Sequence, residues 1–132
     1  MQQSDVVIPK GMEAAYDRFH YAPAVKSGDY LYCSGVIGVG PDRKPPTDPK
    51  TQFTVAFERV GMVLAEAGLS FADVVEMTSY HVGLQGHMAV FMEAKDQFLK
   101  APYPAWTAIG ITELAIPGAL VEIRVTARLP TK

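Results

Sequence analysis

From Phe53 onward, apolar side chains return at steps of three and four residues: Phe53, Ala56, Phe57, Val60, Val63, Leu64 and Ala67. That spacing gathers them on one face of an α-helix and predicts a single buried stripe. The ends carry their own signals. Asp48 stands where an N-cap accepts a bond from the first turn, Pro49 suits the first helical position, and Gly68 supplies the stop. A second stretch, roughly Gly86 to Leu99, repeats the pattern with Met88, Phe91, Met92 and Phe98. Elsewhere the period drops to two. In "ALVEIRVTARL", apolar Val121, Ile123, Val125 and Ala127 alternate with Glu122, Arg124, Thr126 and Arg128, which predicts a strand with one buried and one polar face. "DYLYCSGVIG" and "VVEMTSYHVGL" are rich in β-branched and aromatic residues and predict further strands. The segment "GVGPDRKPPTDP", with prolines at 41, 45, 46 and 49, excludes regular structure. The predicted order is β, β, α, β, α, β, β. This is an α+β domain of two layers, a mixed sheet with two helices on one face.

A sheet covered on one side must put its other side somewhere. Residues 1–132 make a single domain, and a chain of this length buries only about two-thirds of its unfolded surface. With 48% of its residues apolar it has more such side chains than one small core absorbs, so self-association is expected. The formal net charge of −2 leaves no basic footprint for nucleic acid and no polybasic stretch for an anionic membrane. No apolar run reaches the length of a membrane span, and "MQQSDVVIPKGMEAAY" lacks the features of a signal peptide, so a cytoplasmic location is expected. Cys33, the single cysteine, sits among strand formers and reads as core.

The candidate chemistry is sparse. "SGVIGVG" follows a strand, but no helix opens behind it and no Gly-Lys-Ser or Gly-Lys-Thr follows, so it is not a phosphate cradle. His20, His81 and His87 match no metal-ligand spacing and read as hydrogen-bonded structural histidines. Ser34 has neither a base nor an oxyanion hole beside it in sequence and reads as a strand-end residue bonded to backbone. Glu122 is a carboxylate within a strong strand former. If its face is covered it is a candidate general acid or base; if its face is wet it is surface.

The stretches "HYAPAVKSGDYLYCSGVIG", "AGLSFADVVEMTSYHVGL" and "YPAWTAIGITELAIPGALVEIRVTA", in that order, resemble the RidA/YjgF family from about Tyr21 to Arg128. The resemblance implies a chorismate-mutase-like fold and a homotrimer with small-molecule clefts between subunits. It also implies hydrolysis of reactive imines and enamines to keto acids and ammonia, with no metal and no cofactor. By position it places Tyr21, Ser34 and Gly35 in the cleft, and Glu122 where it orients or activates water. Imine-hydrolysing members read Pro-Ala-Arg where this chain reads Pro-Ala-Trp, and their arginine pairs with the substrate carboxylate. Trp106 brings one N–H and no charge, so it cannot reproduce that clamp.

A ligand other than 2-iminopropionate is therefore implied, in a pocket where Trp106, Thr107, Met92 and Tyr21, with Phe19 nearby, offer mostly apolar surface. Trp106 can equally serve as packing at a subunit interface. Arg124 or Arg18 could return the charge from another direction. Arg124 shares the face of Glu122, and an ion pair between them would lower the glutamate's pKa. Two functions stay open: a cofactor-free hydrolase or deaminase that holds a water at Glu122, and a trimer that binds a small metabolite without turning it over. A ribonuclease or translation-inhibitor activity, attached to the family by name, is disfavoured by the acidic balance and the lack of a paired-histidine arrangement.

Overall fold

The computed structural model describes residues 1–131. Ten elements follow in chain order: β1 (Val6–Val7), α1 (Glu13–Asp17), β2 (Ala24–Ser27), β3 (Tyr30–Cys33), β4 (Val36–Ile37), α2 (Pro49–Glu66), β5 (Val74–Val82), α3 (Leu84–Phe98), β6 (Ala105–Ile111) and β7 (Val121–Arg128). Among the described residues the strands form one sheet in the order β1-β2-β3-β7-β5-β6, with β4 also paired to β7. Only β5 and β6 run parallel, and α3 makes the crossover between them.

Helix α2 begins and ends where its local chemistry says it should. Asp48 Oδ2 accepts from the Thr51 amide at 3.0 Å and from its hydroxyl at 2.6 Å. At the other end the Gly68 N–H reaches the Ala65 carbonyl and the Leu69 N–H reaches the Leu64 carbonyl, the two bonds of a Schellman stop. Phe53, Ala56, Phe57, Val60, Val63 and Leu64 are all buried from this helix. They meet Phe91 of α3 and the sheet side chains Leu31, Met77, Val121 and Ile123 in one core. Burying a side chain of this size contributes about 1.5–3 kcal/mol, so this stripe is the main fastening of α2 to the sheet.

Three features depart from the expected order. Strand β1 and helix α1 were not predicted; each is too short to show a period, and β1 exists through its pairing with β2. Helix α3 opens at Leu84 rather than Gly86, because Gly83 takes a left-handed turn at φ +74° and redirects the chain straight from β5 into the helix. Gln52 is fully buried on the apolar face of α2. Its amide donates to the carbonyls of Pro46 and Gly118, at 3.1 and 3.2 Å, and accepts from the Leu120 N–H at 2.6 Å. It thereby ties the proline-rich loop to the segment that leads into β7.

Candidate functional site

Strand β7 sorts its side chains as its alternation predicts except at Thr126, which is buried with its hydroxyl donating to Glu76 Oε1 at 3.0 Å. Val121, Ile123, Val125 and Ala127 are buried beneath the helices, while Glu122 and Arg124 point to the uncovered face. Glu122 lies opposite Tyr80 of β5 and Ile37 of β4. Its carboxyl packs against the backbone of Gly35, so closely that a Cβ at position 35 would stand 2.5 Å from Oε2 and 2.6 Å from Cδ. Only glycine leaves room for the carboxyl there.

Burial raises the pKa of Glu122 above the ordinary glutamate value. The ion pair with Arg124 that would have lowered it does not form: among the described residues the ion pairs are Lys50–Glu93 and Lys95–Asp96. Arg124 shares the face but extends into solvent, and desolvation decides the direction. A carboxyl group held toward its neutral form can give a proton as well as take one.

A cavity of about 640 Å³ opens beside Glu122, lined also by Tyr21, Ser34 and Gly35. Its walls include the apolar side chains Met12, Phe19, Val36, Ile37 and Ile116, and two guanidinium groups, Arg43 and Arg59. A second cavity of about 450 Å³ shares Ser34, Gly35 and Glu122 and adds Tyr32, Tyr80 and Arg124. Ser34 is fixed in the wall by its own bonds. Its hydroxyl donates to the Ala22 carbonyl at 2.7 Å and its amide to the Pro23 carbonyl at 2.9 Å. With its proton spent on backbone, Ser34 can accept from a ligand but has no base to make it a nucleophile. Cys33, also at the smaller cavity, is no nucleophile either, since burial pushes its thiol up to about 12.

The remaining expected site residues stand elsewhere in the protomer. Trp106 is opposite Met77 in the parallel β5–β6 register and faces the helices, with its ring 5.9 Å from that of Phe91. Its Nε1 donates to Ser79 Oγ at 2.9 Å. Glu122 and Trp106 thus occupy opposite faces of one sheet. Thr107, next along the strand, is exposed on the other face, and Met92 is exposed on α3. Within one protomer the fold brings together Tyr21, Ser34, Gly35, Glu122 and Arg124, with Phe19 beside them, but not Met92, Trp106 or Thr107.

A buried polar chain runs behind Trp106. Ser79 Oγ also lies 2.7 Å from His81 Nε2, and His81 Nδ1 lies 3.3 Å from His87 Nε2. One assignment gives each of these protons an acceptor: the indole N–H on Ser79, the Ser79 hydroxyl on His81 Nε2, and the His81 Nδ1–H on His87. Burial, helped by the neighbouring His87, lowers the pKa of His81 to about 4, and burial lowers that of His87. The two histidines thus do pair, contrary to the expectation that the chain has no paired-histidine arrangement, because Gly83 folds residues six apart together; burial holds both toward the neutral form, and neither lines the Glu122 cavities. Among the described residues no group of three or more His, Cys, Asp or Glu side chains is placed to hold a metal ion, and no helix is long and apolar enough to cross a membrane.

Sequence reasoning missed Arg59 and Arg43. Arg59 sits three residues after Ala56 and four before Val63, at the edge of the apolar stripe of α2, which was the available signal. Arg43 lies in the proline-rich segment, where periodicity says nothing.

A family model described as Endoribonuclease L-PSP matches residues 12–129. The RutC family protein YjgH of Escherichia coli K12 is 37% identical over 131 residues, 98% of each chain. A solved structure of YjgH, covering 96% of this chain and 97% of its own, has a TM-score of 0.87. RidA from a Psychrobacter species is 28% identical, with 98% of each chain covered and a TM-score of 0.77. Escherichia coli TdcF, solved with bound serine, is 28% identical with a TM-score of 0.77, covering 83% of this chain and 88% of TdcF. Its name assigns TdcF provisionally to the reactive-intermediate deaminases.

Proposed function

Because this chain belongs to the RidA/YjgF family, we propose that it hydrolyses the C=N bond of an imine, or of an enamine after its protonation at carbon, with Glu122 as the acid and base. The observation that carries this reading is a carboxyl group whose pKa burial raises, set in the wall of a ligand-sized cavity against the glycine that makes room for it. In its neutral form Glu122 donates a proton to the imine nitrogen and makes the carbon more electrophilic. As carboxylate it accepts a proton from the water that attacks that carbon. Collapse of the resulting carbinolamine releases ammonia and leaves the carbonyl product, so the reaction is C=N plus water to C=O plus ammonia. This scheme asks for water and one carboxyl group and for no cofactor. The serine bound in TdcF supports a small-molecule ligand for this fold.

The substrate in this reading is not 2-iminopropionate, since Trp106 stands where the family's imine hydrolases carry arginine, and its N–H is committed to Ser79. The working form is a homotrimer. Tyr32 and Ile109 are exposed large apolar side chains on strands of the sheet, and a cleft using both Glu122 and Trp106 needs two protomers because they face opposite ways. Light scattering should give about three times the chain mass of 14.3 kDa.

The decisive experiment is ammonia and keto-product release from freshly generated imines, small and aromatic, against spontaneous hydrolysis. Glu122→Gln should abolish the acceleration with the oligomer intact. Ligand affinity with no turnover in either protein would instead make this a binding trimer. Cleavage of RNA by extensively purified protein, lost on substitution in the cavity, would revive the ribonuclease reading.

A further inference from the structure

The two guanidinium groups in the Glu122 cavity have no anionic partner. Arg59 reaches in from α2, and its Nη1 donates to the Ile37 carbonyl at 2.7 Å, which fixes the plane of the group and leaves its other N–H donors without a protein acceptor among the described residues. Arg43 lies with its guanidinium carbon 4.9 Å from the centroid of the Phe19 ring. Neither appears in an ion pair, and Asp42, the acid next to Arg43, turns its carboxylate to the Lys44 amide at 3.1 Å. Burial disfavours the charged form of Arg59, Tyr21 in the same wall favours it, and Arg43 adds a smaller repulsion. Arg59, half-buried and unneutralised at the wall of a largely apolar cavity, with the exposed Arg43 in the same wall, offers donors that an anion satisfies.

The surrounding backbone holds unusual conformations. The two non-glycine residues with left-handed backbone, His20 at φ +60° and Arg43 at φ +61°, both border this cavity: His20 between the wall residues Phe19 and Tyr21, and Arg43 as a wall residue itself. The position of the charge relative to Glu122 is set by the sheet. Ile37, whose carbonyl holds Arg59, is the strand partner of Glu122. An anion on Arg59 therefore shares the cavity with the Glu122 carboxyl, with which neither arginine pairs.

We propose that Arg59 and Arg43 are the anion-binding pair of this cavity and take the carboxylate of a ligand whose apolar body lies against Phe19, Met12 and Ile116. The ligand class that this geometry describes is a small organic acid with a bulky, apolar or aromatic side chain. The assignment rests on reading the cavity as the ligand site, and it relocates the charge missing at Trp106 to α2 and the proline-rich loop.

Calorimetric titration of the purified protein with phenylpyruvate, its neutral analogue phenylacetone and inorganic phosphate tests it. The acid should bind at least about tenfold more tightly than the ketone, and Arg59→Met should erase that difference by weakening the acid far more than the ketone. Arg59→Lys should recover part of it, and Arg43→Gln, at an exposed position, should reduce it without affecting the fold. Equal binding of acid and ketone, no binding of phenylpyruvate, acid binding indifferent to both arginines, or a preference for phosphate would each overturn the assignment. Arginine-dependent binding of phenylpyruvate by a protein that hydrolyses no imine would leave it standing and remove the hydrolase reading alone.

Discussion

Replacing Ser79 by alanine removes a single oxygen from the interior, and its consequences can be worked out from the contacts it makes. Ser79 is fully buried, and its Oγ is shared by Trp106 Nε1 at 2.9 Å and His81 Nε2 at 2.7 Å. The alanine variant leaves both nitrogens without a partner. Stranding a buried polar group costs about 1–3 kcal/mol. The fully buried His81 ring should lie toward the top of that range and the partly exposed indole toward the bottom, so a loss of about 2–4 kcal/mol is expected. The chain holds one tryptophan, so its emission reports on the surroundings of this one indole. Urea unfolding followed by that emission, with both proteins at the same concentration, should show an earlier midpoint at unchanged slope. The folded-state emission should shift as well. A loss below about 0.5 kcal/mol, the size of an ordinary surface substitution, together with an unshifted spectrum, would refute the hydrogen-bonded chain.

Two further outcomes follow from the same coordinates. The folded-state pKa of His81, about 4, lies below its ordinary value of 6.5, so the unfolded chain binds more protons between those values. His81 and His87 should therefore make stability fall as pH drops from about 6.5 toward 4, and His81→Gln should flatten that slope in unfolding curves taken across the window. Gly35→Ala places a Cβ where the Glu122 carboxyl lies, and the side chain must swing away. Turnover should then drop by about a hundredfold, as for a group displaced by 1 Å, while the unfolding midpoint stays within a narrow margin of the parent; unchanged kinetics would show that the carboxyl works from another position.

Local rules were legible and long-range ones were not. Helix α2 could be read to its end residues because Asp48 and Gly68 act within one turn of themselves. The uncovered face of β7 could be read because apolar and polar residues alternate from Val121 to Val125, and that placed Glu122 and Arg124 on one side; Thr126 breaks the pattern because its hydroxyl finds Glu76. Strand β6 alternates between exposed and intermediate from Ala105 to Ile109, but apolar residues stand on both of its faces, so nothing in "AWTAIGI" announces that Trp106 faces the helices. The His81–His87 contact joins residues six apart across a glycine turn, a geometry set by the left-handed Gly83. His81 did fall in phase with buried Met77 and Ser79, and that coincidence was the only hint available. Arg59 was hidden for a different reason. A charge at the rim of an amphipathic helix looks the same whether it meets solvent or reaches over the rim into a cavity, and only the position of Ile37 tells the two apart.

Glu122 is the party wall between two chambers. The larger, with its arginines and Phe19, and the smaller, with Tyr32 and Tyr80, touch the same carboxyl. A molecule lodged in one does not by itself occupy the other, so a proton carrier such as water and an organic guest have separate approaches to one acid. Bulk introduced at Tyr80 would narrow the smaller chamber and bulk at Ile116 the larger, with the group between them unaltered.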